Sequence, residues 1–147
     1  MKKLLSLLLV LSLASTLTGC TSNTKTEPET TTEAQVTETT TLNIVINNVD
    51  ENVELFNGAV EVDGTFDTLE DFLVAQDQFE VSMETGEYGA LITSMNGVSQ
   101  DSANGPWWVY ESDNNTQCVE AGYCDAASSL KITDGDNFIF NLTSSFE

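Results

Sequence analysis

Between Tyr88 and Tyr110 the chain sets strand-forming residues around two strong interruptions, and this stretch most limits the folds open to it. Gly89-Ala-Leu-Ile-Thr-Ser-Met95 runs into Asn96-Gly97, a turn signal, and the polar residues Ser99 to Gly105 follow. Pro106 then breaks the chain ahead of Trp107-Trp108-Val109-Tyr110. The pattern predicts two β-strands joined by a loop. Both tryptophans and two of the three tyrosines lie within it.

The flanking segments supply the rest of one small domain, expected over residues 42–147. Leu42 to Val49 and Val53 to Val62 read as strands separated by Asp50-Glu51-Asn52, and Asn57-Gly58 is placed to bend the second. After Asp63-Gly64 the period changes. Leu69, Phe72 and Leu73 fall at i, i+3 and i+4, and Asp67 with Glu70 fits a capping box, so a short helix is expected over 68–76. Phe79 to Met83, Ala90 to Met95, Trp107 to Glu111 and Asn137 to Leu142 complete the strands, with Leu130 and Ile132 adding two apolar positions just before the last. The fold class is α+β: a mostly antiparallel sheet with one short helix packed on it.

Residues ahead of this domain read as an address. Met1-Lys2-Lys3 precedes an apolar run from Leu4 to Leu17, which is too short for a convincing spanning helix. Leu17-Thr18-Gly19-Cys20 resembles a bacterial lipobox, so residues 1–19 are expected to be a lipoprotein signal peptide and Cys20 the acylated first residue of the mature protein. The resemblance implies a bacterial chain, lipid-anchored at the cell membrane and facing outside, as on a Gram-positive surface. Residues 20–41, rich in Thr and Glu, hold too little apolar surface to offset ordering entropy and read as a disordered tether reaching ~25 Å.

Without residues 1–19, two lysines face 24 acidic residues, a net charge of −22. Nucleic acid and anionic headgroups are repelled by such a chain. Histidine is absent, which removes Ser-His and Cys-His catalytic pairs and the commonest nitrogen ligand of zinc. No enzyme and no required cofactor is expected. Asp134-Gly-Asp-Asn137 fails the calcium-loop pattern, because its fifth and twelfth positions are Phe138 and Ser145, and a tight turn accounts for it.

Three motifs in order, Gly89 to Gly97, Trp107-Trp-Val-Tyr110, and Leu130-x-Ile-x-Asp-Gly-Asp-x-Phe-x-Phe140, carry a family resemblance. They resemble a bacterial domain related to the C-terminal domain of transcobalamin and intrinsic factor, and the similarity covers most of Leu42 to Leu142. That resemblance implies a β-grasp-like fold of the soluble-ligand-binding group, with cobalamin or a related corrinoid as a possible ligand. In the vitamin carriers a large helical domain holds the other side of the corrinoid, and no counterpart is present in this sequence.

Adjacent strand residues point to opposite faces, so one indole of Trp107-Trp108 is expected in the core and the other outside. Trp108 shares a face with Tyr110, and such a pair is either half-buried packing or a platform for a planar ligand. Met95-Asn96-Gly97 is either a turn alone or, with the Ser99 to Gly105 loop, the rim of a shallow site. Cys118 and Cys124 are expected to form a disulfide that stiffens the loop around Tyr123; two free thiols or a soft-metal site are the alternatives. Tyr123 is then a contact residue or a buried anchor. The candidate ligand set is Trp107, Trp108, Tyr110, Asn96 and Tyr123, with no metal site. The function expected is a surface-held binding module for a small molecule, with a corrinoid as one candidate, that serves a transporter. The alternative is an adhesion or assembly module that meets a surface protein or cell-wall polymer.

Overall fold

The structure is a computed structural model and describes residues 38–145. The expected signal peptide, Cys20 and all but the last four residues of the expected tether lie outside the described residues. Nine elements follow one another: β1 (Thr39–Asn48), β2 (Val53–Asp63), α1 (Leu69–Ala75), β3 (Ser82–Gly86), β4 (Gly89–Met95), β5 (Val98–Ser99), β6 (Trp107–Glu111), α2 (Thr116–Ala121) and β7 (Asn137–Thr143). The α+β class expected from the sequence is the class found. Its strands divide between two sheets, a four-stranded one ordered β2-β1-β7-β6 and a three-stranded one ordered β3-β4-β5.

β1 is the spine. Leu42, Ile44 and Ile46 are fully buried on one face, while Asn43, Val45 and Asn47 occupy the other. The strand begins at Thr39, three residues before the expected domain start, because Thr39 to Thr41 pair with Asp63 to Glu61. β1 lies antiparallel to β2 and parallel to β7. The register of the parallel pair is pinned from outside the core, where the Asn43 side-chain Nδ2 donates to Asn137 Oδ1 (3.0 Å) and Asn47 Nδ2 to Asn141 Oδ1 (2.9 Å). A slip of one residue would break both bonds and turn Phe138, Phe140 and Leu142 out of the core. β2 runs straight through Asn57-Gly58. Its irregularity falls instead at Leu55, since Ile46 pairs with Phe56 and Asn47 with Glu54.

α1 supplies Leu69, Phe72 and Leu73 to the same buried cluster as the β1 and β7 side chains. Its capping box is set one residue later than the sequence suggested, on Thr68 and Asp71 rather than Asp67 and Glu70. Thr68 forms an isolated antiparallel bridge to Lys131, which holds it extended and makes it the last residue before the helix. The strand expected from Phe79 is shortened for a similar local reason. The Gln76 side chain accepts the Phe79 N–H (3.2 Å), Glu80 takes φ 48°, and Phe79 packs edge-on against Phe56, so pairing starts only at Ser82. Two helices are present rather than the single one the sequence pattern predicts, the second being α2.

Candidate functional site

β6 alternates as its sequence predicts. Trp108 is the indole that enters the core, 7 % exposed, with its ring N–H donating to the Val98 carbonyl (3.1 Å) and its backbone N–H to the Gln100 side-chain oxygen (3.0 Å). Those bonds tie β6 to the β5 end of the other sheet, so Trp108 is a structural anchor and offers no ring face to a ligand. Trp107 lies half-buried on the opposite face of the strand. Its ring folds back over Gly105, where an added Cβ would meet three ring carbons at 2.6 to 2.8 Å.

Tyr110 stands two residues beyond Trp108 on the same face. Its ring packs 5.5 Å from Phe140, and its hydroxyl donates to the Asp125 carbonyl. Burial, helped by the Asp125 charge, pushes its phenol well above the usual range. Asp125 directly follows the loop stapled by Cys118–Cys124, whose disulfide is formed (S–S 2.00 Å, Cα–Cα 4.3 Å). α2 carries the first cysteine and is capped at both ends. Asn115 accepts the N–H groups of Gln117 and Cys118, and Gly122 closes the helix in the left-handed conformation that glycine adopts without strain.

Beyond Cys124 the loop is fixed at three further points. Ala127 accepts the Glu70 N–H of α1, Ala126 accepts the Leu130 N–H, and the Ser128 hydroxyl accepts the Ala90 N–H of β4. Close approach of Gly89 makes that last contact possible, since a Cβ there would fall 2.7 to 2.8 Å from Ser128 and Ala126. The segment from Asp125 to Ser128, just beyond the stapled loop, is therefore where β6 of one sheet and β4 of the other are joined.

An open depression of about 720 Å³ lies between β6, α2 and this loop. Tyr110, Glu111 and Ser112 form one side, Cys118 and Val119 another, and Gly122, Tyr123 and Cys124 the third. Tyr123 is 66 % exposed and Val119 57 % exposed, so an aromatic ring and an aliphatic side chain stand in solvent beside the concavity. Tyr123 is thus a surface residue and not a buried anchor.

Of the five candidate ligand residues, the structure brings Tyr110 and Tyr123 together. Asn96 sits apart, at φ 53° in the β4–β5 turn with Gly97 at φ 78°, its N–H bonded to the Phe79 carbonyl. The Ser99 to Gly105 loop is held by bonds centred on Asp101 and by Gln100, which bonds Thr93 and Trp108. Asp101 accepts from the Asn104 side chain and from the Ala103 and Asn104 N–H groups, bonds that hold its carboxyl below the usual range. No residue of that loop lines the depression. Glu111, Ser112 and Val119 were not among the sequence candidates. Glu111 and Ser112 are simply the continuation of the aromatic strand, whereas nothing local to Val119 marks it. Among the described residues no group of three or more acidic, Cys or His side chains is placed to hold a metal ion.

The fold recurs in solved structures. A candidate metal-binding protein from Ruminococcus gnavus superimposes with a TM-score of 0.55 at 22% identity, over 73% of this chain and 99% of that one. Haptocorrin in complex with Cbi superimposes with a TM-score of 0.52 at 18% identity, over 76% of this chain but only 26% of haptocorrin. That likeness agrees with the resemblance carried by the Gly89, Trp107 and Leu130 motifs, and at such identities it establishes the fold alone. No curated protein matches the sequence. A sequence family does match, over residues 67–144, just over half of the chain and all of the region from α1 to the end of β7. The chain belongs to that family, described as domain of unknown function DUF4430.

Proposed function

We propose that this protein is a non-enzymatic binding module that holds a small ligand in the depression between β6, α2 and the stapled loop. The observation that carries the reading is the convergence of Tyr110, Tyr123, Val119 and the disulfide on one open concavity of about 720 Å³, a volume within the usual range for ligand sites, ~300–1,000 Å³. Rigid walls favour it. The disulfide, the Asn115 cap and the Ala126 to Ser128 contacts position Tyr123 before any ligand arrives, which lowers the ordering cost of binding. The fold shared with haptocorrin, solved with Cbi, makes a corrinoid or another cofactor-like molecule the first ligand to try. Because this chain matches about a quarter of haptocorrin, its grip would be one-sided and its affinity modest.

In this reading the β-grasp-like domain is carried on a Thr/Glu-rich thread from a lipid on Cys20, at the outer face of a bacterial membrane, and passes its ligand to a transporter. Calorimetric titration of the full chain in nonionic detergent with cobalamin tests the site. Saturable heat that Tyr123→Ala weakens supports it. Absence of heat removes the corrinoid, and heat unchanged by Tyr123→Ala removes the site.

A further inference from the structure

Four strands end the two sheets, and one of them presents a long open edge. β5 spans two residues, β3 five with an irregularity after Ser82, and β6 gives its Trp108 N–H to Gln100. β2 runs for eleven residues and, among the described residues, pairs with β1 alone. The Glu38 carbonyl accepts the Gly64 N–H (2.6 Å), and the Asn43 N–H turns the other way to Asp136 (2.9 Å), which fixes the alternation of the ladder. Gly58, Val60 and Val62 therefore exchange bonds with β1, whereas Asn57, Ala59, Glu61 and Asp63 point their N–H and C=O groups outward. All four of these outward residues are exposed.

Sheet edges are commonly guarded by proline, lysine or a bulge. β2 has no proline and no lysine, and its irregularity at Leu55 lies outside the stretch from Asn57 to Asp63. Its guard is acidic, since Glu61 and Asp63 stand two apart on the face turned away from the buried Val60. A second copy of this chain brings a net charge of −20 against them, whereas a basic strand brings the opposite sign. On the Val60 side, a groove of about 390 Å³ lies beside the same edge, lined by Val60, Val62 and, at the end of α1, Ala75 to Gln78. Alternate side chains of an added strand thus fall on two different surfaces, the carboxylates on one face and this groove on the other.

Independently of the depression, we propose that β2 from Asn57 to Asp63 is a docking edge for an extended basic segment of another protein. That segment adds as a fifth strand, with Lys or Arg at alternate positions beside Glu61 and Asp63 and the side chains between them in the groove. The test follows backbone amide signals of the isotope-labelled full chain in nonionic detergent by NMR, at ~0.15 M salt. The probe is acetyl-Thr-Lys-Val-Lys-Val-Lys-Thr-amide. One control carries Glu for each Lys, and a second is N-methylated at the lysines, which keeps the charge and blocks strand pairing. The probe should shift the amides of Asn57, Ala59, Glu61 and Asp63 saturably in the millimolar range. The N-methylated peptide should bind about tenfold more weakly, and the glutamate peptide should not bind. Glu61→Gln with Asp63→Asn, both at exposed positions, should weaken the probe about fivefold. Equal affinity of the N-methylated peptide reduces the attraction to charge alone, and equal affinity of the glutamate peptide, or indifference to the double variant, removes the charge selection. Shifts centred on β3 or β6 remove the site, and failure to saturate below ~10 mM removes the docking edge. Each of these results overturns the proposal.

Discussion

Replacing Asn115 by alanine should unfold this domain more readily than any comparable polar truncation, because one side chain serves four partners. Its carbonyl oxygen accepts from Gln117 N (3.1 Å) and Cys118 N (3.2 Å), and its amide donates to the Lys131 carbonyl (2.8 Å) and to the Asp136 carboxylate (2.6 Å). The residue is 3 % exposed and Asp136 only 7 %, so water does not readily replace the lost bonds. Loss of the helix cap costs about 1 kcal/mol. Loss of the bond to a buried carboxylate costs roughly 1.5–3 kcal/mol more. Allowing for partial rehydration, the variant should lose about 3 kcal/mol, which at a urea dependence of about 1.5 kcal/mol per molar lowers the midpoint by about 2 M. Urea unfolding followed by Trp107 and Trp108 fluorescence measures it.

Asn115→Asp separates the two halves of that account. The carboxylate still caps α2, but it faces Asp136 and the Lys131 carbonyl with no proton to donate. Two carboxylates forced together raise the folded-state pKa of the pair above its unfolded value. Proton uptake then favours the folded variant, so its deficit should be largest at neutral pH and shrink as pH falls toward about 4. An alanine variant that loses under about 1 kcal/mol, or an aspartate variant as stable as the parent at neutral pH, would refute the reasoning.

Three further outcomes are expected. Cys118→Ser with Cys124→Ser opens a seven-residue loop and should lower stability by roughly 2.4 kcal/mol, read as a fall in Tm, with a matching loss of affinity at the depression if Tyr123 is positioned by the staple. Gly105→Ala should destabilise more than Gly97→Ala, since both have positive φ (77° and 78°) but only Gly105 has a Trp107 ring in the way, while a Cβ at Gly97 meets nothing within 4 Å; equal losses in thermal melts would contradict the packing. Tyr110→Phe should cost about 1 kcal/mol and abolish the latest-ionising part of the tyrosinate absorbance. In the parent, the raised phenol keeps its contribution below the ordinary value of 10.0 and loses it as pH climbs beyond, so alkaline unfolding should weaken in the variant.

Much of the frame was legible because it is written in local period. The alternation of Leu42, Ile44 and Ile46, the i, i+3, i+4 spacing of Leu69, Phe72 and Leu73, and Phe138, Phe140 and Leu142 all mark buried faces by the side-chain geometry of strand or helix. Structure and local pattern part where one backbone bond decides between near-equal choices. Asp67 and Thr68 are both good caps, and the bridge from Thr68 to Lys131, 63 positions further on, chose the second. α2 has only six residues and no apolar stripe, so its existence depends on the Asn115 cap and the Cys118 staple rather than on pattern.

By itself, then, the sequence of this protein determined which residues could be buried, that the class would be α+β, and that the two cysteines were close enough along the chain to join. It also narrowed the aromatic candidates, since adjacent strand positions must face opposite ways. Tertiary structure alone decided that Trp108 goes inward to bond Val98, that Asn96 and the Asp101-centred loop lie away from the concavity, and that Tyr110 meets a stapled loop carrying Tyr123. The reason is physical. Faces and turns follow from bonds within a few residues, whereas a site made from β6, α2 and a loop exists only after β7 has inserted beside β1 and the two sheets have closed on one core.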